Sequence, residues 1–165
     1  MKHVLPTAAA RHATPLGRIL LAASDDALVG AWFEGQRHHP DTSGWPFDPA
    51  HPVLAEAMRQ LDDYFAGRRT AFELPLDLQG GTPFQQSVWR ALLDIPPGRR
   101  TSYGALSQRI GRPAAVRAVG AAVGRNPISI VVPCHRVVGT DGSLTGYAGG
   151  IERKSALLRL EGASS

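Results

Sequence analysis

The alternation of apolar and polar positions predicts a small sheet in the first half of the chain. Two apolar runs, residues 17–24 and 28–34, meet around the polar residues 24–26, a pattern typical of a β-hairpin. Apolar residues also alternate through residues 72–78 and indicate a further strand. Pro75 lacks a backbone N–H, so this strand is expected at the edge of the sheet.

Helical periodicity predicts two longer elements. In residues 48–67 apolar side chains recur on one face and Gly67 follows them, which indicates a helix that ends there. Thr82, Pro83 and Gln85 form the pattern of a capping box with a first-turn proline, so a second helix is expected to begin here. The apolar faces of the two helices consist of Leu54, Ala57, Met58, Leu61, Tyr64 and Phe65, and of Phe84, Val88, Ala91, Leu92 and Ile95.

A helix-turn-helix is predicted further along the chain. Residues 102–111 and 114–126 have the pattern of two short helices, and a Gly-Arg-Pro turn separates them. Residues 128–132 are expected to form a short strand, and a last helix is expected over about residues 151–160. The chain thus changes from a β-rich to a helical pattern.

The second helix of this motif has an unusually bare face. Its apolar stripe consists of Val116, Val119 and Val123, and its other face of Arg117, Gly120, Ala121 and Gly124. Reading a base sequence needs several polar side chains, so this face favours close contact with a duplex without sequence reading. The alternative is that Gly120 and Ala121 pack against another helix while Arg117 is solvated.

Composition places the chain among globular proteins of the cytoplasm. Of 165 residues, 43% are hydrophobic and 19% charged, and the net charge of +4 suits a polyanionic partner without requiring one. A single cysteine fits a reducing compartment, and no apolar run reaches the roughly 18–20 residues of a membrane span or forms a secretory signal. The change of pattern near residues 78–83 predicts two domains, 1–78 and 79–165.

The one cysteine lies in the sequence VVPCHRVVG at residues 131–139. A lone cysteine is most often a small buried hydrophobic residue, and that alternative stays open. His135 is adjacent to Cys134 and titrates near neutral pH, and a nearby base raises the fraction of reactive thiolate. Consecutive side chains of a strand point to opposite faces, so the two groups are expected to communicate through a bridging water unless the backbone bends.

Glu161 is the candidate to orient His135. It lies three and four residues after Leu158 and Leu157, on the apolar side of the last predicted helix. A carboxylate there is either buried against a partner or exposed at a frayed end, and the spacing leaves both alternatives open. No metal site is expected, because Cys134 and His135 supply two ligands at most and the other histidines are scattered through the first part of the chain.

Several motifs of the second half resemble the O6-alkylguanine-DNA alkyltransferases. RAVG at residues 117–120, Asn-Pro at 126–127 and PCHRV at 133–137 occur together, and the similarity runs from about Thr82 to Gly162. The first part resembles the N-terminal domain of bacterial members more loosely. The resemblance implies an α/β (α+β) fold, with a ribonuclease H-like domain of a small sheet and a helix, and a winged-helix-like helical domain that contains the helix-turn-helix.

The resemblance also implies a reaction. Cys134 would accept a methyl or other alkyl group from O6 of guanine in DNA, once per molecule, and keep it as a thioether. His135 would draw the thiol proton through a water, with Glu161 orienting the imidazole. Tyr103 would press on the phosphate and help protonate the leaving guanine. Asn126 would hold the turn between the recognition helix and the active-site segment.

The resemblance also implies which residues contact the DNA and the modified base. The DNA-contacting residues would be Ser102, Tyr103, Arg117, Gly120, Ala121 and Arg136, with Arg117 filling the gap left by a flipped nucleotide. The guanine pocket would be lined by Val123, Ser129, Val137, Tyr147, Ala148 and Gly149. The partner would be double-stranded DNA, bound in the minor groove without sequence specificity by a monomer. Cooperative binding and activity on O4 of thymine stay open, and no cofactor, metal or membrane partner is implied.

Three rival functions stay open. A non-catalytic protein that binds alkylated DNA would lack the thiol, whereas this chain has Cys134. A helix-turn-helix regulator would need base-reading side chains, which the face around Arg117 lacks. A thiol hydrolase that uses Cys134 and His135 would turn over repeatedly, whereas an alkyl acceptor stops after one equivalent.

Overall fold

The computed structural model describes residues 5–162 and divides the chain into two units. The first unit extends to Gly80 and also includes Pro127–Val131, and the second consists of Gly81–Asn126 and the residues from Val132 onward. The chain therefore passes between the units three times. The domains expected from the sequence, 1–78 and 79–165, imply one passage and leave out the return of residues 127–131.

The first unit is built on a three-stranded antiparallel sheet. Its strands are β1 (Ala8–Thr14), β2 (Gly17–Ala23) and β3 (Leu28–Phe33), in that order across the sheet. β2 and β3 are the predicted hairpin, while β1 was not expected. Helix α1 (Pro52–Phe65) packs on this sheet, and the side chain of His51 caps its first turn. Leu54, Ala57, Leu61 and Tyr64 of α1 are buried.

Two segments that the sequence predicts as strands are single bridges in the structure. Leu76 pairs with Leu28, and Ile128 pairs with Ala31, both in parallel with β3. The prediction of a strand at 72–78 and another at 128–132 was therefore wrong in extent. Each segment is held on β3 by two backbone hydrogen bonds of 2.8–3.0 Å. Ile128 and Ile130 are buried, whereas Leu74 and Leu76 are only partly buried.

The second unit is mainly helical. It contains α2 (Pro83–Leu92), α3 (Tyr103–Arg109), α4 (Val116–Gly124) and α5 (Ile151–Leu160). α2 begins with the predicted capping box between Thr82 and Gln85. The indole Nε1 of Trp89 donates a 2.8 Å hydrogen bond to the carbonyl of Ala122, which fixes α2 against α4.

The predicted helix-turn-helix is present as α3 and α4. A two-stranded parallel sheet of β4 (Thr101–Ser102) and β5 (Val137–Val138) joins the start of α3 to the segment just after Cys134. Val119 and Val123 are buried as expected, but Val116 is 39% exposed. It is the first residue of α4, where the helix is not yet covered by its neighbours. Within residues 5–162, no helix is long and apolar enough to cross a membrane.

Candidate active site

The backbone bends sharply at Cys134. The amide of Cys134 donates a 2.8 Å hydrogen bond to the carbonyl of Val132 across Pro133, whose φ of −82° and ψ of 63° form an inverse γ-turn. A 3-10 turn, Cys134–Arg136, follows at once. Because this segment is not a strand, the side chains of Cys134 and His135 are not forced to opposite faces. The backbone bend that allows the thiol and the imidazole to interact is therefore present.

His135 and Glu161 form a buried pair. The imidazole Nε2 lies 2.8 Å from Oε2 of Glu161, and their side chains are 0% and 1% exposed. Of the two alternatives for Glu161, the structure has the partnered one, since the residue caps the end of α5 instead of fraying. Burial lowers the pKa of His135, against the opposing influence of the Glu161 carboxylate. Nδ1 of His135 is also buried, and within the described residues it has no hydrogen-bond partner.

Asn126 lies directly before the segment that returns to the first unit, and it holds the thiol segment. Its side-chain Nδ2 donates a 2.8 Å hydrogen bond to the carbonyl of Val132, and the residue is 5% exposed. The bond thus links the two ends of residues 127–131, where the chain leaves and re-enters the second unit. Asn126 also hydrogen-bonds the thiol of Cys134, which favours the ionised sulfur.

The thiol of Cys134 is kept neutral by its surroundings. The residue is 4% exposed, and burial raises the pKa of the Cys134 thiol. Hydrogen bonds with Asn126 and Tyr147 and the positive charge of Lys154 act in the opposite direction without reversing the shift. The sulfur is therefore a protonated thiol at rest, with several groups ready to stabilise a thiolate once it forms.

Lys154 is a site residue that the sequence analysis missed. It is fully buried on α5, and its Nζ donates hydrogen bonds to the carbonyls of Thr145 (2.7 Å) and Gly146 (3.4 Å). Burial lowers the pKa of Lys154 to about 8. A signal was available, because Lys154 precedes the buried Leu157 and Leu158 by three and four residues and so shares their face of the helix.

Arg136 does not have the position expected of a DNA contact. Its side chain is 7% exposed, and its guanidinium donates two hydrogen bonds to Glu161 and one to the carbonyl of Ile95. Its charged group is thus engaged inside the second unit and is not available to a phosphate. The prediction for Arg136 is corrected on this ground.

The residues expected to line the guanine pocket differ in their surroundings. Val123, Val137 and Gly149 are buried, and Tyr147 and Ala148 are partly exposed. The backbone amide of Ser129 donates to the carbonyl of Ala31, so this residue belongs to the first unit. The assignment of all six residues to a pocket stays a prediction.

Of the residues expected to contact DNA, Arg136 apart, Ser102 lies in β4 directly before α3 and the others lie on α3 and α4. Arg117 and Ala121 are exposed, and Gly120 and Tyr103 are partly exposed. A Cβ at Gly120 would lie 3.8 Å from the ring of Tyr103, an ordinary contact, so packing within the protein does not require glycine here. The hydroxyl of Ser102 caps α3 by accepting a hydrogen bond from the amide of Ala105. In the described part of the chain, no three His, Cys, Asp or Glu side chains are grouped to hold a metal ion.

Comparison with known proteins identifies one family along nearly the whole chain. The family model described as "6-O-methylguanine DNA methyltransferase, DNA binding domain" matches residues 83–163, and that of the family's "ribonuclease-like domain" matches residues 10–78. The methylated-DNA–protein-cysteine methyltransferase of Mycolicibacterium paratuberculosis is 49% identical, over 90% of this chain and 88% of its own. That of Methanosarcina acetivorans is 46% identical, over 90% and 94%.

Solved structures agree with these matches. The crystal structure of Mycobacterium tuberculosis OGT in complex with DNA superimposes with a TM-score of 0.86 at 47% identity, covering 94% of both chains. The structure described as M. tuberculosis O6-methylguanine methyltransferase gives 0.86 at 48% identity, covering 93% of this chain and 92% of its own. The matches include both the sheet-containing first part and the segment with Cys134. The chain belongs to the 6-O-methylguanine DNA methyltransferase family.

Proposed function

We propose that this protein repairs DNA by direct reversal, transferring a methyl or other alkyl group from O6 of guanine to its own Cys134. The observation that carries the proposal is the buried thiol of Cys134 followed directly by the His135–Glu161 pair, whose atoms lie 2.8 Å apart. This arrangement lies inside the part of the chain that matches the DNA-binding domain of the family.

The reaction balances with the groups present. The thiol proton passes to Nδ1 of His135 through a bridging water, and Glu161 stabilises the imidazolium that results. The sulfur attacks the alkyl carbon, a C–S bond forms and the bond from carbon to O6 breaks. The electron pair stays with the guanine, which takes a proton from Tyr103. The buried Nδ1, unbonded within residues 5–162, supports this route for the proton.

Each molecule reacts once. The product is a thioether, which no ordinary base or nucleophile at neutral pH displaces, and the chain has no second cysteine to receive the group. Because burial keeps the thiol protonated at rest, the sulfur is protected from adventitious alkylation until a base occupies the site. One protein molecule is therefore inactivated for each guanine that is repaired.

Binding to DNA is assigned to α4. A base must leave the stack before its O6 can reach a buried sulfur, and unstacking costs a few kcal/mol. Arg117, exposed on α4, is proposed to occupy the space left by the flipped nucleotide. The small side chains at Gly120 and Ala121 favour close approach to the minor groove without sequence reading, which suits damage that occurs at any guanine. The protein is proposed to act as a monomer in the cytoplasm.

The range of alkyl groups is part of the proposal. Val123 and Ala148, two of the proposed pocket residues, have small or medium side chains, so groups larger than methyl are expected to be accepted. Single-turnover rates with O6-methylguanine and O6-benzylguanine in DNA test this. A transfer rate that collapses for the benzyl group would contradict it.

Intact-mass measurement tests the reaction itself. The protein is mixed with a duplex that contains one O6-methylguanine, and Cys134→Ala is the matched control. The expected result is a gain of one methyl group per molecule, absent in Cys134→Ala, and a DNA product with unmodified guanine. Repeated turnover of substrate would refute the stoichiometric mechanism, and binding without a mass gain would favour a lesion-binding protein.

A further inference from the structure

Arg136 is a buried cation bound to the same carboxylate as the active-site histidine. Its Nε donates to Oε1 of Glu161 at 2.9 Å, and its Nη2 donates to Oε2 at 2.8 Å. Oε2 is also the atom that lies 2.8 Å from Nε2 of His135. The two oxygens of Glu161 are therefore held by a planar fork, with the imidazole on one of them.

The third arm of Arg136 attaches this cluster to the scaffold. Its Nη1 donates to the carbonyl of Ile95, which follows the end of α2. Glu161 itself is the C-cap residue that follows the last residue of α5, a position at which a side chain would otherwise have little support. The guanidinium of Arg136 thus links the segment that follows α2 to the C-cap of α5.

The charge of Arg136 also matters to His135. A buried carboxylate beside an imidazole attracts a proton to it, and a histidine that is already protonated cannot accept the proton of a thiol. The charged groups that act on His135 are Glu161 and Lys154 of the α5 region and Arg136 of the 3-10 turn. Burial is the largest influence and lowers the pKa of His135. Glu161 favours the imidazolium, and the two cations oppose it.

We propose that Arg136 is a positioning residue of the transfer reaction: it fixes the Glu161 carboxylate against His135 and keeps the imidazole neutral until the thiol proton arrives. The inference rests on the proposed function, in which His135 is the base. It replaces the expected role of Arg136 in DNA binding with a role inside the protein. Arg136 does not contact the substrate, and acts through Glu161.

Two substitutions separate charge from geometry. Arg136→Gln removes the charge and keeps a hydrogen-bond donor, and Arg136→Lys keeps the charge but cannot donate as a fork. Arg109→Met is the matched control, because Arg109 forms an exposed ion pair with Asp94 in the same unit. Thermal unfolding of each variant shows what fraction is folded.

The first measurement is the titration of His135 by NMR in the protein without DNA. In Arg136→Gln the pKa of His135 should rise by about one pH unit, while Arg136→Lys and Arg109→Met should stay within about half a unit of the parent protein.

The second measurement is the pH profile of single-turnover methyl transfer at saturating DNA. Arg136→Gln should shift the acidic limb of this profile upward by about one pH unit. Because the pKa of His135 in the parent protein lies below 6.5, this shift lowers the rate at pH 7 by at most about threefold. Arg136→Lys should be slower at every pH, with an unshifted profile.

Several results would overturn the inference. One is an unchanged His135 pKa in folded Arg136→Gln together with a superimposable pH profile. If Arg136→Gln does not fold, an Arg136→Lys protein that transfers at the parent rate overturns the positioning role. Failure of the parent protein to take up a methyl group would instead refute the proposed function, so the two failures are distinguishable.

Discussion

Replacing Lys154 with methionine tests the cost of burying a positive charge beside the thiol. Lys154 is fully buried, and its Nζ is held by the carbonyls of Thr145 and Gly146. Methionine has a similar length and no charge. The comparison is best made in a Cys134→Ala background, because the thiol would otherwise titrate in the same pH range.

The expected magnitude follows from the pKa of Lys154, which burial lowers from 10.5 to about 8. That difference corresponds to about 3 kcal/mol of unfolding free energy, an upper limit because proteins relax around a buried ammonium. Between the two pKa values the unfolded chain binds more protons than the native protein, so the contribution of Lys154 makes stability rise with pH across this window. From pH 7 to pH 9.5 the rise amounts to about 2 kcal/mol, and to somewhat more in the Cys134→Ala background, which lacks the thiolate that raises the Lys154 pKa.

Urea unfolding at pH 7 and pH 9.5 measures this effect. At pH 7 Lys154→Met gains stability because no ammonium is buried. This gain is offset because two carbonyls lose their hydrogen-bond donor, which costs about 1–3 kcal/mol each. At pH 9.5 the native lysine is neutral and still donates, so the lysine protein should gain about 2 kcal/mol relative to the methionine variant. Since both proteins share every other titrating group, the difference isolates Lys154.

Parallel pH dependences of the two proteins would refute the reasoning, because they would mean that the native ammonium is not penalised. In the protein with Cys134 intact, Lys154→Met should also slow methyl transfer, since the Lys154 charge lowers the thiol pKa. If Lys154→Met slows transfer while the two proteins show the same pH dependence of stability, the slower transfer is not explained by the charge of Lys154.

Three further predictions concern DNA binding and packing. Arg117→Ala should repair duplex DNA more slowly and react near-normally with free modified base, and equal losses on both substrates would remove its proposed role. Gly120→Ala should raise the unfolding free energy by about 1 kcal/mol, because alanine favours a helix and its Cβ would make only an ordinary contact. Its affinity for duplex DNA in a binding titration should fall, and an unchanged affinity would contradict the close approach of α4 to DNA. Trp89→Phe should cost about 1–3 kcal/mol in urea unfolding, because the carbonyl of Ala122 loses a buried donor, and a cost near zero would contradict that account.

Elements with local signals could be predicted from the sequence. The capping box of Thr82 and Gln85 marks the start of α2, and the polar residues 24–26 mark the hairpin. Strand β1 has neither kind of signal, since its sequence is AAARHAT and alanine has low strand propensity. It is a strand because it pairs with β2 along seven residues, which no local pattern reveals.

Side-chain direction limited the prediction of the site. Glu161 could be placed near His135 because helical periodicity assigns it a face. Arg136 could not, because a 3-10 turn rotates successive side chains and all three residues of this one are buried. Lys154 was missed because a lysine is normally expected in solvent, and only its shared face with Leu157 indicated otherwise.

The return of residues 127–131 to the first unit has a consequence for attempts to shorten the protein. A fragment that begins at Gly81 would retain Cys134, His135 and Glu161. Ile128 and Ile130, now 0% and 1% exposed, would lose the strand on which this segment rests. Such a fragment would expose an apolar loop a few residues from its nucleophile and would tend to aggregate. The second unit is therefore not expected to carry out repair as an isolated fragment.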